Sequence, residues 1–133
     1  MGKIITSGKR KRAVARAILQ EGAGRILINK KDHKTLNIFD RLKIEEPLRI
    51  AEAILGKLNF DVSINVRGGG EKGQIDAARI ALSKAIVKFS KSDELEKSLL
   101  NYDRNLLVAD VRRKETYKPG DSKARRKRQK SYR

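Results

Sequence analysis

Beyond Val111 the chain offers nothing from which a core could be built. Residues 112–133 hold Tyr117, Pro119, Ala124 and Tyr132 as their only apolar or aromatic side chains. Against these stand eleven Lys or Arg and the two acids Glu115 and Asp121. So little apolar surface cannot offset the entropy lost when a backbone is fixed. The folded part must therefore come from the residues before 112. Charge follows the same division. Of the net +17, residues 1–16 carry +6 without an acid, residues 112–133 carry +9, and the stretch between is close to neutral at +2. Three segments are expected: a basic N-terminal segment over 1–12, a globular body over 13–111 and an extended basic tail over 112–133.

Within the body, hydrophobic period separates strands from helices. "RAVARAILQ" (12–20) alternates, "EGAGR" has the size and glycine content of a hairpin turn, and "ILINKK" resumes as a strand. Residues 31–44 read as loop with a helical turn near "TLNIFDR". "EEPLRIAEAILGKL" predicts a helix in which Pro47 occupies the first turn and Glu45 and Glu46 face the positive end of the dipole. "FDVSINVRG" alternates without a break, Phe60, Val62, Ile64 and Val66 against Asp61, Ser63, Asn65 and Arg67. After "GGGEKG", the stretch "QIDAARIALSKAIVKFS" has a helical stripe of Ile75, Ala78, Leu82, Ala85, Ile86 and Phe89. Ser92 followed by Asp93 and Glu94 marks the start of another helix, and "NLLVADV" (105–111) predicts a short strand. The sum is an α/β (α+β) two-layer sandwich, a small mixed sheet with helices on one face.

Several function classes lose their footing here. With no cysteine there is no disulfide, thiolate metal site or Cys nucleophile. No apolar run approaches the roughly 20 residues of a membrane span, and "MGKIITSGKRKR" has charge but no apolar signal core. "MGKIIT" fits an N-myristoylation pattern only formally, at loosely specified positions. His33 is the sole histidine and sits in "KKDHKT", which reads as an exposed basic loop. "GGGEKG" contains G-x-G-x-x-G between a strand and a helix, with Asp93 about 20 residues on. In a dinucleotide-binding unit, however, that acid closes a second parallel strand, whereas here it opens a helix. Gln74 and Ile75 stand where a phosphate loop needs Lys and Ser or Thr. Neither a metal nor a cofactor is expected, and no enzyme.

The basic ends point to a polyanion. Side-by-side cations repel in isolation and are favoured beside phosphates. Lys9, Arg10, Lys11 and Arg12 could serve as a nuclear address, but that leaves Arg16 and the second basic end unexplained. For the glycines, a positive-φ turn accounts for one or two. Three in a row beside Arg67 and Lys72 favour a bare backbone lying against an RNA backbone.

"GKRKRAVAR", "RGGGEKGQIDAARIALSKAI" and "DVRRKETYKPGDSKARRKRQKSYR" together resemble the universal family of ribosomal protein nine of the small subunit. The resemblance runs from about Ser7 to Arg133. Its most specific part is Gly68-Gly69-Gly70, Gly73-Gln74, Ala77, Ala81, Ser83 and Lys84, and the ending "QKSYR" resembles the archaeal and eukaryotic branch rather than the bacterial Ser-Lys-Arg. It implies a left-handed crossover in the fold and a structural role in the head of the small ribosomal subunit, in the cytoplasm. The implied partners are ribosomal RNA, neighbouring head proteins and the transfer RNA in the peptidyl site, bound by a monomer. Candidate ribosomal-RNA contacts are Lys9, Arg10, Lys11, Arg12 and Arg16 at the front, and Arg67, Gly68, Gly69, Gly70 and Lys72 around the glycine loop. In the tail they are Arg112, Arg113, Lys114, Lys123, Arg125, Arg126 and Lys127. Arg128, Lys130, Ser131, Tyr132 and Arg133 are the candidate transfer-RNA contacts. Twenty-two extended residues could span about 70–80 Å, and the tail is expected to take order only where phosphates surround it. The alternative is a general nucleic-acid-binding or chromatin-like basic protein.

Overall fold

A computed structural model of the chain describes residues 2–108. Five strands, β1 (Ile4–Arg10), β2 (Ala13–Glu21), β3 (Ile26–Ile28), β4 (Lys31–Asp32) and β5 (Phe60–Arg67), form one mixed sheet in the order β1-β2-β5-β3-β4. Every pairing is antiparallel except that of β3 with β5. Those two neighbours are joined through α1 (Ile38–Leu55), so the fold contains a crossover connection. Helices α2 (Glu71–Ser90) and α3 (Asp93–Tyr102) complete the α+β arrangement.

The inner face of the sheet explains how close the helical layer comes. On β2, Ala13, Ala15, Ala17 and Leu19 point inward and are fully buried; on β5, Phe60, Val62, Ile64 and Val66 do the same. Helix α2 lies across β1, β2 and β5 with its own small face of Ala77, Ala78, Ala81 and Ala85 turned to them. At Gly8 the approach is backbone to backbone. A Cβ there would stand 2.4 Å from the Ala77 carbonyl oxygen and 2.8 Å from the Ala81 nitrogen, which no side chain tolerates. Beside Gly8, the Thr6 hydroxyl donates to the Ala81 carbonyl at 2.7 Å, so a buried polar group finds its partner. Helices α1 and α3 pack beside α2 and add Ile44, Leu48, Ala51, Leu95 and Leu99 to the same core. Phe60 meets Phe89 edge to face at 5.5 Å.

Four expectations need correction. The basic front segment is not separate from the body: Ile4–Arg10 is the edge strand β1, paired along its length with β2. Its charge hid a strand with Ile4, Thr6 and Gly8 on one side. Helix α1 begins well before Pro47, at Ile38, with the Asn37 side chain accepting from the Phe39 N–H at 3.1 Å. Its opening turns expose Ile38 (67%), Phe39 (69%) and Leu42 (41%), so the apolar residues there give no inward stripe. Pro47 sits inside the helix, fully buried; it leaves the Lys43 carbonyl without its usual donor, and core packing of the ring compensates. His33 is buried rather than exposed, in a 3-10 turn (His33–Thr35), with Nδ1 3.4 Å from the Ile26 carbonyl oxygen and 3.2 Å from Asp32 Oδ1. Finally, residues 104–106 form a 3-10 turn that buries Leu106 where a strand was predicted; 109–111 lie outside the described residues. By contrast, Ser92 caps α3 as expected, accepting from the Leu95 N–H at 3.3 Å.

Candidate nucleic-acid interface

No helix of the described residues covers the second face of the sheet, and its composition differs throughout from the first. Register sets its rows. Lys9, Val14 and Arg67 stand opposite one another across β1, β2 and β5; Ser7, Arg16 and Asn65 form the next row; Ile5, Ile18 and Ser63 the third, with Leu27 of β3 opposite Ser63. Cations therefore collect at one end, the end that carries the β1–β2 turn and the glycine loop. Lys11 and Arg12 make that turn, with Lys11 at φ 54°. A left-handed φ on a residue with a Cβ costs about 1–2 kcal/mol, and here it keeps two cations at the tip of the hairpin. Lys9, Lys11, Arg12, Arg16 and Arg67 are exposed and have no acidic partner among the described residues.

The glycine loop is built against that turn. Gly68 (φ 77°) and Gly69 (φ 66°) both take left-handed conformations, and a Cβ on Gly68 would lie 2.7 Å from the Arg12 carbonyl oxygen. Geometry thus accounts for two of the three glycines, where a run of three had favoured contact with RNA. Gly70 differs. It is the exposed N-cap of α2, no side chain caps the helix there, and a Cβ on it would meet nothing within 4 Å.

Two predicted contacts are already engaged inside the protein. Lys72 Nζ lies 2.9 Å from Asp40 Oδ1, whose carboxylate is buried at the start of α1 and needs a counter-charge. Arg10 Nε lies 3.7 Å from Asp76 Oδ2, which also faces Lys43 at 3.5 Å. Acids also tie together segments far apart in the chain: Arg79 joins Glu46 of α1 and, at 3.3 Å, Asp103 after α3. Every candidate contact in the tail, from Arg112 to Arg133, lies outside the described residues.

Sequence reasoning missed the far lip of this face. The β3–β4 turn holds Asn29 (φ 50°) and Lys30 (φ 69°), two consecutive left-handed residues as in a type I′ hairpin turn. The Asn29 N–H donates to the Ile64 carbonyl at 2.7 Å and its Oδ1 accepts from the Val66 N–H at 2.9 Å, so one asparagine extends the ladder beyond β3. Together with β2 and β5 the turn encloses a groove of about 600 Å³ lined by Val14, Arg16, Asn29, Lys30, Asn65, Val66 and Arg67. Three of those residues are cationic and none is acidic. "INKK" carried the signal: Asn in the first position of a two-residue turn followed by lysine.

At the opposite end of β5, Asp61 organises the β2–β3 loop. Its Oδ1 accepts from the backbone N–H groups of Arg25 at 2.9 Å, Ala23 at 3.0 Å and Gly24 at 3.1 Å. The Arg25 amide first, then those of Gly24 and Ala23, hold the Asp61 carboxyl below the usual carboxylate range. No Cβ fits at Gly22, where it would fall 2.2 Å from that carboxylate. Among the described residues no group of three or more His, Cys, Asp or Glu is placed to hold a metal ion, and no helix is long and apolar enough to cross a membrane.

An open sheet face with unpaired cations at one end, backed by a helical layer, defines a nucleic-acid-binding protein of the α+β class. A family model described as ribosomal protein S9/S16 matches residues 8–133. The chain is 47% identical to the small ribosomal subunit protein uS9 of Methanococcus vannielii and 47% identical to that of Thermoplasma volcanium, in both cases across all of this chain and all of the relative. To the uS9 protein of Picrophilus torridus it is 48% identical over 98% of this chain and 97% of the relative. The chain belongs to the S9 family of ribosomal proteins. The family is one of non-enzymatic constituents of the small ribosomal subunit, and the protein's place is accordingly the ribosome, in the cytoplasm.

Proposed function

We propose that the protein holds ribosomal RNA of the small-subunit head against the open end of its sheet, while its basic tail reaches transfer RNA in the peptidyl site. The observation that carries this is the set of five exposed cations, Lys9, Lys11, Arg12, Arg16 and Arg67, gathered at one end of one face with no acid among the described residues to neutralise them. Phosphates are the complement of such a surface, and each Arg offers a forked donor pair to them. Gly70 supports a close approach of RNA at the start of α2, since no atom of the described residues would lie within 4 Å of a Cβ there. Arg10 and Lys72 take part through whatever field remains after pairing with Asp76 and Asp40. For the tail, support comes from composition: Arg112, Arg113, Lys114, Lys123, Arg125, Arg126 and Lys127 suit backbone phosphates. Arg128, Lys130, Ser131, Tyr132 and Arg133 come last and suit the transfer RNA. Proteins of the head are the expected neighbours, and the protein acts there as a single copy.

The test is reconstitution of small subunits with a chain lacking residues 122–133. The body should assemble normally while retention of transfer RNA in the peptidyl site falls; unchanged retention would remove the tail's role. Replacing Arg12, Arg16 and Arg67 by Ala should weaken binding to small-subunit RNA. If affinity for duplex DNA instead equalled that for ribosomal RNA, the reading of a general nucleic-acid binder would gain.

A further inference from the structure

We infer that the groove between β2, β5 and the β3–β4 turn seats an unpaired RNA nucleotide, with Lys30 and Arg67 on its phosphates, Arg16 stacked on its base and Asn65 reading the base's edge. This deepens the function proposed above and rests on the open face being an RNA surface. A bare phosphate site would need only the cations. This groove has more. The Asn65 side chain is exposed and has no hydrogen-bond partner among the described residues, so a donor and an acceptor are both free. Arg16 stands directly opposite it on β2, where paired strands put Cβ atoms about 4.5–5.5 Å apart. A guanidinium plane beside a free carboxamide is an arrangement that stacks a base and hydrogen-bonds its edge at once. Val14 gives the groove an apolar wall and is 42% exposed, which suits a ribose or base better than a charged oxygen.

The turn supplies the remaining part. Asn29 commits its Oδ1 to the Val66 N–H, which fixes the turn to β5 and leaves its amide N–H₂ without a described partner. Lys30 then follows at φ 69°, on the groove's lip. Glycine would adopt that φ freely, so a lysine there is held at some conformational cost. A duplex keeps the Watson–Crick edges of its bases paired; only an unpaired base can offer that edge to Asn65. The chemistry therefore selects a loop or bulge nucleotide.

The experiment uses the full chain, a hairpin RNA with an unpaired loop, and the same RNA closed into continuous duplex, followed by fluorescence anisotropy over a range of salt. Asn65→Ala should lower affinity for the loop RNA about tenfold, towards the duplex value, without changing the salt slope. Lys30→Ala and Arg67→Ala should weaken both RNAs and reduce the slope by about 0.7 for each phosphate left without its cation. In heteronuclear spectra the Asn65 side-chain amide should shift on adding the loop RNA and stay in place with the duplex. An unchanged ratio of loop to duplex affinity in Asn65→Ala, with no shift of that amide, overturns base reading at the groove. If Arg16→Ala and Arg67→Ala also leave both affinities and both slopes untouched, the open face is not an RNA surface at all, and the proposed function itself falls.

Discussion

The two faces of β2 are made from one nine-residue strand and have opposite requirements. Inward, Ala13, Ala15 and Ala17 are small and fully buried, because α2 lies so close that at Gly8 even a methyl group is excluded. Outward, Val14, Arg16 and Ile18 carry branched or long side chains with no helix of the described residues above them. The inner face is specified by volume, the outer face by charge. Substitutions of similar size should therefore act on different observables on the two sides, on stability within and on RNA affinity without.

The largest effect should come from Gly8→Val. Overpacking typically costs about 1–3 kcal/mol, and a clash against helix backbone cannot relax by rotating a side chain, so the loss should reach at least the upper end. Chemical denaturation measures it; a stability within error of the parent would show that α2 is not seated on β1 as described. Next is Thr6→Val, close in shape, which removes the hydroxyl that donates to Ala81. It should destabilise by about 1 kcal/mol and leave RNA affinity alone. Arg16→Ala, on the other side of the same sheet, should change stability by no more than about 0.5 kcal/mol while weakening RNA binding and flattening its salt dependence. If Arg16→Ala instead unfolded the protein, the division between the faces would disappear.

The smallest effect is electrostatic. The Asp61 carboxyl is held below its ordinary range by the Arg25, Gly24 and Ala23 amides. A carboxyl whose folded pKa is depressed contributes its full stabilisation above the range where a free Asp titrates, and loses it as pH falls through the lower folded value. The β2–β3 loop should therefore loosen only in acid. Amide shifts of residues 23–25 followed against pH should show one transition, absent in Asp61→Asn; persistence in that variant would assign it to another group.

Much of this was legible in the chain. Alternation marked β5 without ambiguity, and Ser92 followed by acids marked the start of α3. The failures share a cause. Local rules put Pro47 at a helix start, yet it lies inside α1, since its ring is buried in the core and the opening turns expose Ile38, Phe39 and Leu42. Charge set residues 4–10 apart from the body and made His33 look like surface. Both judgements took local polarity for solvent exposure, and pairing with β2 and the contact with Ile26 overrode it. Of the candidate site, Lys9, Lys11, Arg12, Arg16 and Arg67 were readable as cations beside turns. Lys30 and Asn65 were not, since they lie 35 residues apart in sequence and only the parallel pairing of β3 with β5 brings them to one groove.

By itself, the order of residues determined which stretches could be strands or helices and where charge accumulates, and it leads one to expect no core past Val111, where apolar side chains are few. Period and composition are local quantities, so they survive without a fold. Tertiary structure alone decided which cations are free and which are already paired. Lys9 and Arg67 flank Val14 of β2 with no acid beside them among the described residues, while Lys72 and Arg10 fall against Asp40 and Asp76. A charge's availability depends on distances of a few ångströms between segments far apart in the chain, and only packing sets those distances.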